Sequence, residues 1–313
     1  MSMQQPRTLL IGASGQVGSA LEAEFSHESL VAASHTHARP GDTLIDLGDH
    51  VALQKTLRDV QPDLVLVAGA MCNAERCEVD PETCERINTT GPATVAEYAR
   101  ASGARVVFFS TDHVFDGARD CYVEEDTPRP LYVYARSKAR AEALIRAMIP
   151  ERHLIIRTGW VYGPDIWRRN FALRLVDRMA SGEKVVVPSD QWGSPTHTED
   201  VARATRFLVE RDAVGVFHAT GPEFLSRVTL ALKICETFGF EPGAIEPRPT
   251  HDMGQIARRS LRVRLDCDKL RQAGAAPFRS VTDGLSSLRL SAQSRGPDRR
   301  SSDAQRTGSL EGR

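Results

Sequence analysis

Cysteine is sparse in this chain, with six residues in 313, at Cys72, Cys77, Cys84, Cys121, Cys235 and Cys267. The first three are clustered, but no CxxC pair occurs and no histidine lies among them. A secreted disulfide framework is therefore not expected, nor is a zinc site, and the thiols are expected to be reduced. Excess charge of one sign is also missing. The formal net charge is -1, so no global field favours nucleic acid or an anionic membrane surface. Long hydrophobic runs are absent as well, and residues 64–70, among the longest, are far too short to span a bilayer. The N-terminal stretch has neither a basic nor an apolar leader region, which points to a cytoplasmic protein. No internal repeat is visible.

What remains is ordinary globular material, 41% hydrophobic and 26% charged, long enough for a large domain and a smaller second one. Residues 8–11, 30–34, 44–46, 64–68 and 105–110 read as strands. Residues 17–25, 51–60 and 92–101 read as helices between them. Val106, Val107, Phe108 and Phe109 stand in a row, and such an unbroken apolar run suits a strand buried on both faces of a parallel sheet. Alternation of strand and helix predicts a doubly wound α/β fold of Rossmann type. Residues 138–149 read as a further helix and 153–157 as a further strand. The pattern loosens after Gly163. The first domain is placed at residues 1–163 and the second mainly at 164–290, with some later segments, such as 214–219, returning to the sheet. Residues 291–313 are rich in Ser, Arg, Asp and Gly and are expected to be a disordered tail.

The first strand runs directly into Gly12-Ala13-Ser14-Gly15-Gln16-Val17-Gly18, and a helix follows at once. This is a GxxGxxG loop in the context a dinucleotide site requires. Gly12 permits the sharp turn, Gly15 lets a pyrophosphate reach the backbone, and Gly18 lets the helix pack on the strand. Free N–H groups at the helix start would bind the phosphates. An acid at the end of the second strand would mark NAD. The segment here is Ser34-His35-Thr36-His37-Ala38-Arg39, with no acid. Ser34, Thr36 and Arg39 can instead hold a 2′-phosphate, which favours NADP while leaving NAD open. Asp46 and Leu47, after the third strand, are placed at the adenine. Ala68, Gly69 and Ala70 end the fourth strand, where small residues admit the nicotinamide half or serve close packing.

The fifth strand ends in Ser110-Thr111-Asp112, and Tyr134 and Lys138 follow at a helix start, one turn apart and on one face. Carbonyl reduction needs a hydride and a proton. A phenol supplies the proton, and the Lys138 ammonium is expected to draw its pKa down from about 10 toward neutrality. Thr111, or alternatively Ser110, would hold the substrate oxygen.

Together with Gln61-Pro62-Asp63, Ile87-Asn88, Ser110-Thr111-Asp112-His113-Val114-Phe115-Asp116-Gly117, Arg157-Thr158-Gly159-Trp160-Val161-Tyr162-Gly163 and Asp190-Gln191-Trp192-Gly193-Ser194-Pro195-Thr196, these residues resemble the dTDP-4-dehydrorhamnose reductase family of extended short-chain dehydrogenases. The resemblance implies reduction of the 4-keto group of a nucleotide-activated deoxysugar, with Thr111, Tyr134 and Lys138 as the catalytic trio. Tyr134 and Lys138 also meet the cofactor. Substrate contacts are implied for Thr111, Asp112, Val114, Trp160, Asn170 and Gln191, with Arg157 and Phe171 nearby; for Trp160 and Phe171 core packing is the competing role. A dimer is usual in the superfamily. His113 stands where relatives often have tyrosine, and Met71-Cys72-Asn73 replaces small and acidic residues. Magnesium, which some relatives bind through C-terminal acids, is not expected, because residues 277–290 hold only Asp283 as an acid. The regulatory beta subunit of methionine adenosyltransferase shares this fold group and is a weaker resemblance; it sets a non-catalytic NADP-binding role against the enzymatic one. A reductase or epimerase of another nucleotide sugar is the third reading.

Overall fold

The computed structural model describes residues 7–27 and 29–294. Strand β1 (Arg7–Ile11) leads into α1 (Gln16–Glu24), then β2 (Ser29–Ser34) and β3 (Thr43–Leu44). Helix α2 (His50–Val60) returns the chain to β4 (Leu64–Val67). Helices α3 (Ala74–Val79) and α4 (Pro81–Glu85) pass through a π-helical turn (Arg86–Thr90) into α5 (Gly91–Ser102) and β5 (Arg105–Thr111). A long loop precedes α6 (Val133–Met148), β6 (His153–Thr158) and β7 (Val161–Tyr162). The rest comprises α7 (Phe171–Ala180), β8 (Val185–Pro188), β9 (Trp192–Gly193), β10 (Thr196–His197), α8 (Thr198–Val209), β11 (Gly215–His218), β12 (Leu225–Ser226), α9 (Arg227–Phe238), β13 (Ile245–Arg248), α10 (Asp268–Gln272) and α11 (Val281–Ser294).

Seven parallel strands form the main sheet in the order β11-β6-β5-β4-β1-β2-β3. The order reverses direction between β1 and β4, so the crevice for a ligand opens at their C-terminal ends. The apolar strand runs feed two cores, because alternate side chains point to opposite faces. Val65, Val67, Val106, Phe108 and Ile155 join one, and Leu64, Leu66, Val107, Phe109, Leu154 and Ile156 the other. The return of residues near 214–219 to the sheet is realised as β11, which pairs with β6.

The second domain has its own core, in which Leu173, Leu175 and Met179 of α7 meet Leu230 and Ile234 of α9 and Leu285 and Leu288 of α11. Helix α8 belongs instead with the first domain, where Val201, Ala204 and Leu208 pack against Leu21 of α1. The second core begins just ahead of the expected boundary at Gly163. Tyr162 lies in the second core, and β7 pairs with β10 rather than with the large sheet. The expected tail also starts too early, since α11 runs through Ser294 and Ser291 bonds back to the Ser287 carbonyl. Residues 295–313 lie outside the described residues. Among the described residues no helix is long and apolar enough to cross a membrane.

Candidate active site

The glycine loop sits at the C-terminal end of β1, at the point where the strand order reverses. Gly12 has φ +92°, and a Cβ there would stand 2.5 Å from the backbone nitrogen of Gly69 at the end of β4. A Cβ at Gly18 would stand 2.0 Å from the Gly12 carbonyl oxygen. Both positions therefore admit only glycine, and they let β1, β4 and α1 meet without intervening side chains. Gly15 is the N-cap of α1 and brings no side-chain cap, so the first N–H groups of the helix stay available to an anion. The Gln16 side-chain oxygen is buried without a partner nearby. Val17 packs on the second sheet core. These features fit a dinucleotide phosphate.

At the adenosine end, the side-chain oxygen of Ser34 is buried and accepts a hydrogen bond from the Ser14 amide at 3.1 Å. Thr36 is exposed. Arg39 is paired with two carboxylates. Its Nη1 donates to Glu22 at 2.6 Å and its Nη2 to Asp42 at 3.1 Å, a double pair that absorbs its charge. Asp46 turns onto the Gly48 amide at 2.7 Å, which leaves one face of the carboxylate toward His35. Leu47 is buried against Gly69 and Gly91. Ala68, Gly69 and Ala70 are half-buried past the end of β4.

Thr111 ends β5, its hydroxyl donating to Asp112 at 3.0 Å and accepting from the His113 amide at 3.2 Å. To reach a substrate oxygen it must turn away from Asp112. Tyr134 and Lys138 occupy the first two turns of α6, and Lys138 is 2% exposed, with its ammonium 3.9 Å above the Phe108 ring of β5. Helix α6 packs on β5 and on the turn that follows it, so Tyr134 and Lys138 lie on the element beside the end of the strand that carries Thr111.

The electrostatics reverse one expectation. Burial pushes the Tyr134 phenol well above its ordinary range, with Cys72, Tyr132 and Asp112 adding to the effect. Lys138 does not offset this, since burial lowers its own pKa to about 8. Desolvation dominates because Lys138 is buried and Tyr134 half-buried at the start of α6. The consequence suits reduction, because the phenol stays protonated at neutral pH, the form a proton donor needs.

Asn88 of the π-helical turn belongs to a motif, but its sequence context assigns it no task. It is 1% exposed, and its side-chain amide accepts from the Met71 N–H at 2.8 Å and donates to the Met71 carbonyl at 3.1 Å and the Ser137 hydroxyl at 3.2 Å. It thereby locks the chain beyond β4 to α6. A π-turn is a costly irregularity that often marks a functional site, and only its tertiary partners reveal it. Beside it, Cys72 is exposed and Asn73 caps α3. His113 is half-buried, its Nδ1 lacks a partner, and burial lowers its pKa, so the ring is neutral.

Several residues expected at the substrate also carry structural contacts. Val114 is fully buried among Phe115, Tyr122, Val263 and Leu265. Asn170 caps α7 and donates to the Gly163 carbonyl at 3.0 Å. Arg157 is wholly buried and paired with Glu142. Each is packed or bonded inside the protein. Asp112 is 4% exposed beside the trio, and Gln191 is 7% exposed and donates to Thr250 at 3.1 Å. Trp160 is half-buried with φ +47°, and Arg227, unforeseen from the sequence, lies 3.4 Å above its ring and 4.6 Å from that of Phe171. Burial lowers the Arg227 pKa to about 9. A Cβ at Gly193 would stand 2.3 Å from the Trp160 ring, which explains the glycine of the Asp190–Thr196 motif.

The family model described as RmlD substrate binding domain matches residues 6–292. This chain is a member of the dTDP-4-dehydrorhamnose reductase family, within the extended short-chain dehydrogenases. A relative from Streptomyces niveus, a dTDP-4-keto-6-deoxy-D-glucose reductase, is 31% identical over 89% of this chain and 95% of its own length. The mouse methionine adenosyltransferase 2 subunit beta is 29% identical over 88% of this chain and 85% of its own. The two identities are nearly equal, so the beta subunit is a closer relative than its motifs alone implied. The Bacillus anthracis dTDP-4-dehydrorhamnose reductase, solved in complex with NADP, superposes with a TM-score of 0.83 at 25% identity and covers 92% of this chain and 99% of its own.

Proposed function

We propose that this family member reduces the 4-keto group of a nucleotide-activated deoxysugar, of the dTDP-4-dehydrorhamnose type, with NADPH as the preferred cofactor. The reading is supported by Thr111 at the C-terminal end of β5 and by Tyr134 and Lys138 on the first two turns of α6, which packs on β5; β4 alone separates β5 from β1, the strand that leads into the glycine loop. When bound, the nicotinamide supplies the hydride. Thr111 orients the substrate oxygen. Tyr134, kept protonated by burial, passes its phenolic proton to that oxygen as negative charge develops there. Lys138 carries its ammonium at neutral pH in a buried setting, where it would hold the cofactor ribose. NADP is supported by the absence of an acid at the end of β2 and by the NADP complex of the Bacillus anthracis relative.

A second reading is a non-catalytic, NADP-binding regulatory subunit, supported by the 29% identity to the methionine adenosyltransferase 2 beta subunit. The intact trio favours catalysis. The deciding experiment mixes the purified protein with dTDP-4-dehydrorhamnose and follows NADPH and NADH oxidation separately. Oxidation that needs both protein and sugar supports the reductase. A protein that binds NADPH and never oxidises it with this sugar sinks the first reading in favour of the second or of another sugar nucleotide.

A further inference from the structure

The loop between β7 and α7 reaches out of the second domain and crosses to the cofactor side of the first. Arg169 on this loop donates from Nη2 to the Ser14 carbonyl of the glycine loop at 2.8 Å. Asp165, whose side chain is 2% exposed, holds the same guanidinium at 3.2 Å and accepts the Arg169 amide at 2.8 Å. A second anchor lies at the adenosine end. The Trp167 ring stacks on His37 with centroids 4.3 Å apart, and its indole nitrogen is buried without a hydrogen-bond partner. Arg168 between them takes φ +51°, a left-handed conformation that costs a non-glycine residue energy, so the loop is held in this shape by its contacts.

A dinucleotide brings a pyrophosphate with two negative charges to the glycine loop. The backbone N–H groups there are neutral donors. Arg39 is neutralised by Glu22 and Asp42, and Lys138 stands at the catalytic end over Phe108. Arg169 is also paired, with Asp165, but it differs in place: its side chain is 36% exposed and its guanidinium is fixed on the glycine loop by the bond to the Ser14 carbonyl. Among the described residues its Nη1 makes no hydrogen bond. A planar, forked cation over the phosphate loop is the arrangement that phosphate recognition uses.

We propose that Arg169, delivered by the second domain, is the cation that neutralises the cofactor pyrophosphate, so that dinucleotide binding ties the two domains together. The proposal rests on the dinucleotide reading of the glycine loop. It differs from the sequence expectation, which placed the phosphate-binding arginine at position 39 for the 2′-phosphate.

The test titrates NADPH and NADH into the full chain and its Arg169→Gln and Arg169→Lys variants, reading the dissociation constant by calorimetry. Arg169→Gln weakens both cofactors by a similar factor, roughly 10- to 100-fold, because both carry the pyrophosphate. Arg169→Lys recovers part of the loss, since charge returns without the fork. Unchanged affinity in a folded Arg169→Gln variant overturns the proposal and leaves the dinucleotide reading standing. A loss confined to NADPH overturns the pyrophosphate assignment in favour of the 2′-phosphate. Failure of the unmutated chain to bind either cofactor overturns the dinucleotide reading and the proposal with it.

Discussion

Arg157 on β6 and Glu142 on α6 form a fork sealed from water, with Nη2 2.7 Å and Nε 3.1 Å from the carboxylate and the two side chains 0% and 2% exposed. The same guanidinium donates to the Glu124 carbonyl at 3.3 Å. The Glu124 carboxylate accepts the His218 amide of β11 at 2.9 Å. The pair thus ties α6 to the edge of the sheet. Removing one partner strands a buried charge, at a cost of about 3–5 kcal/mol. Glu142→Gln is therefore expected to lower the melting midpoint by roughly 10 °C in calorimetry. The double variant Glu142→Leu with Arg157→Met is expected to recover much of that loss. A single variant that melts with the unmutated protein would show that the fork contributes little.

Tyr134→Phe removes only the donor hydroxyl. Turnover with the 4-keto sugar is expected to fall by about 10²–10⁴-fold, with the NADPH dissociation constant changed little. Stopped-flow rates alongside a cofactor titration separate the two quantities. A rate within a factor of two of the unmutated enzyme would remove Tyr134 from the chemistry.

Lys138 titrates at about 8 in the folded protein, against an ordinary 10.5. Across that interval the unfolded chain holds a proton that the folded chain does not. The stability of the cofactor-free protein at this site therefore rises with pH from about 8 to about 10.5, and below about 8 the buried ammonium is a constant cost. Lys138→Met is expected to be more stable near neutrality, by on the order of 2–3 kcal/mol. That advantage should shrink toward pH 10 in urea titrations. A pH-independent difference would contradict the assignment of the cost to desolvation.

Gly12→Ala forces a Cβ toward the Gly69 backbone nitrogen, only 2.5 Å away, at φ +92°. Nothing flexible lies there to yield. The variant is expected to lose NADPH affinity in titrations by more than tenfold and to lose stability by at least about 1 kcal/mol. Retention of full affinity would mean that the turn is not what shapes the phosphate site.

Short-range periodicity, and residue types with a single conformational use, carried everything that the sequence by itself determined. Val106 to Phe109 suited a strand buried on both faces, and Gly12 to Gly18 a tight strand-to-helix turn. The one-turn spacing of Tyr134 and Lys138 likewise placed both on a shared face. These are local facts, carried by neighbours in the chain. Tertiary structure decided which charges are spent. Arg39 looked available from its neighbours, yet Glu22 on another element consumes it, and Arg157 looked like a pocket residue until Glu142 enclosed it. It also decided the direction of the Tyr134 shift, because desolvation depends on every chain segment that closes the cleft. The bond from Arg169 to Ser14 joins residues 155 positions apart. No periodicity encodes such a contact; the packing of the second domain against the first creates it.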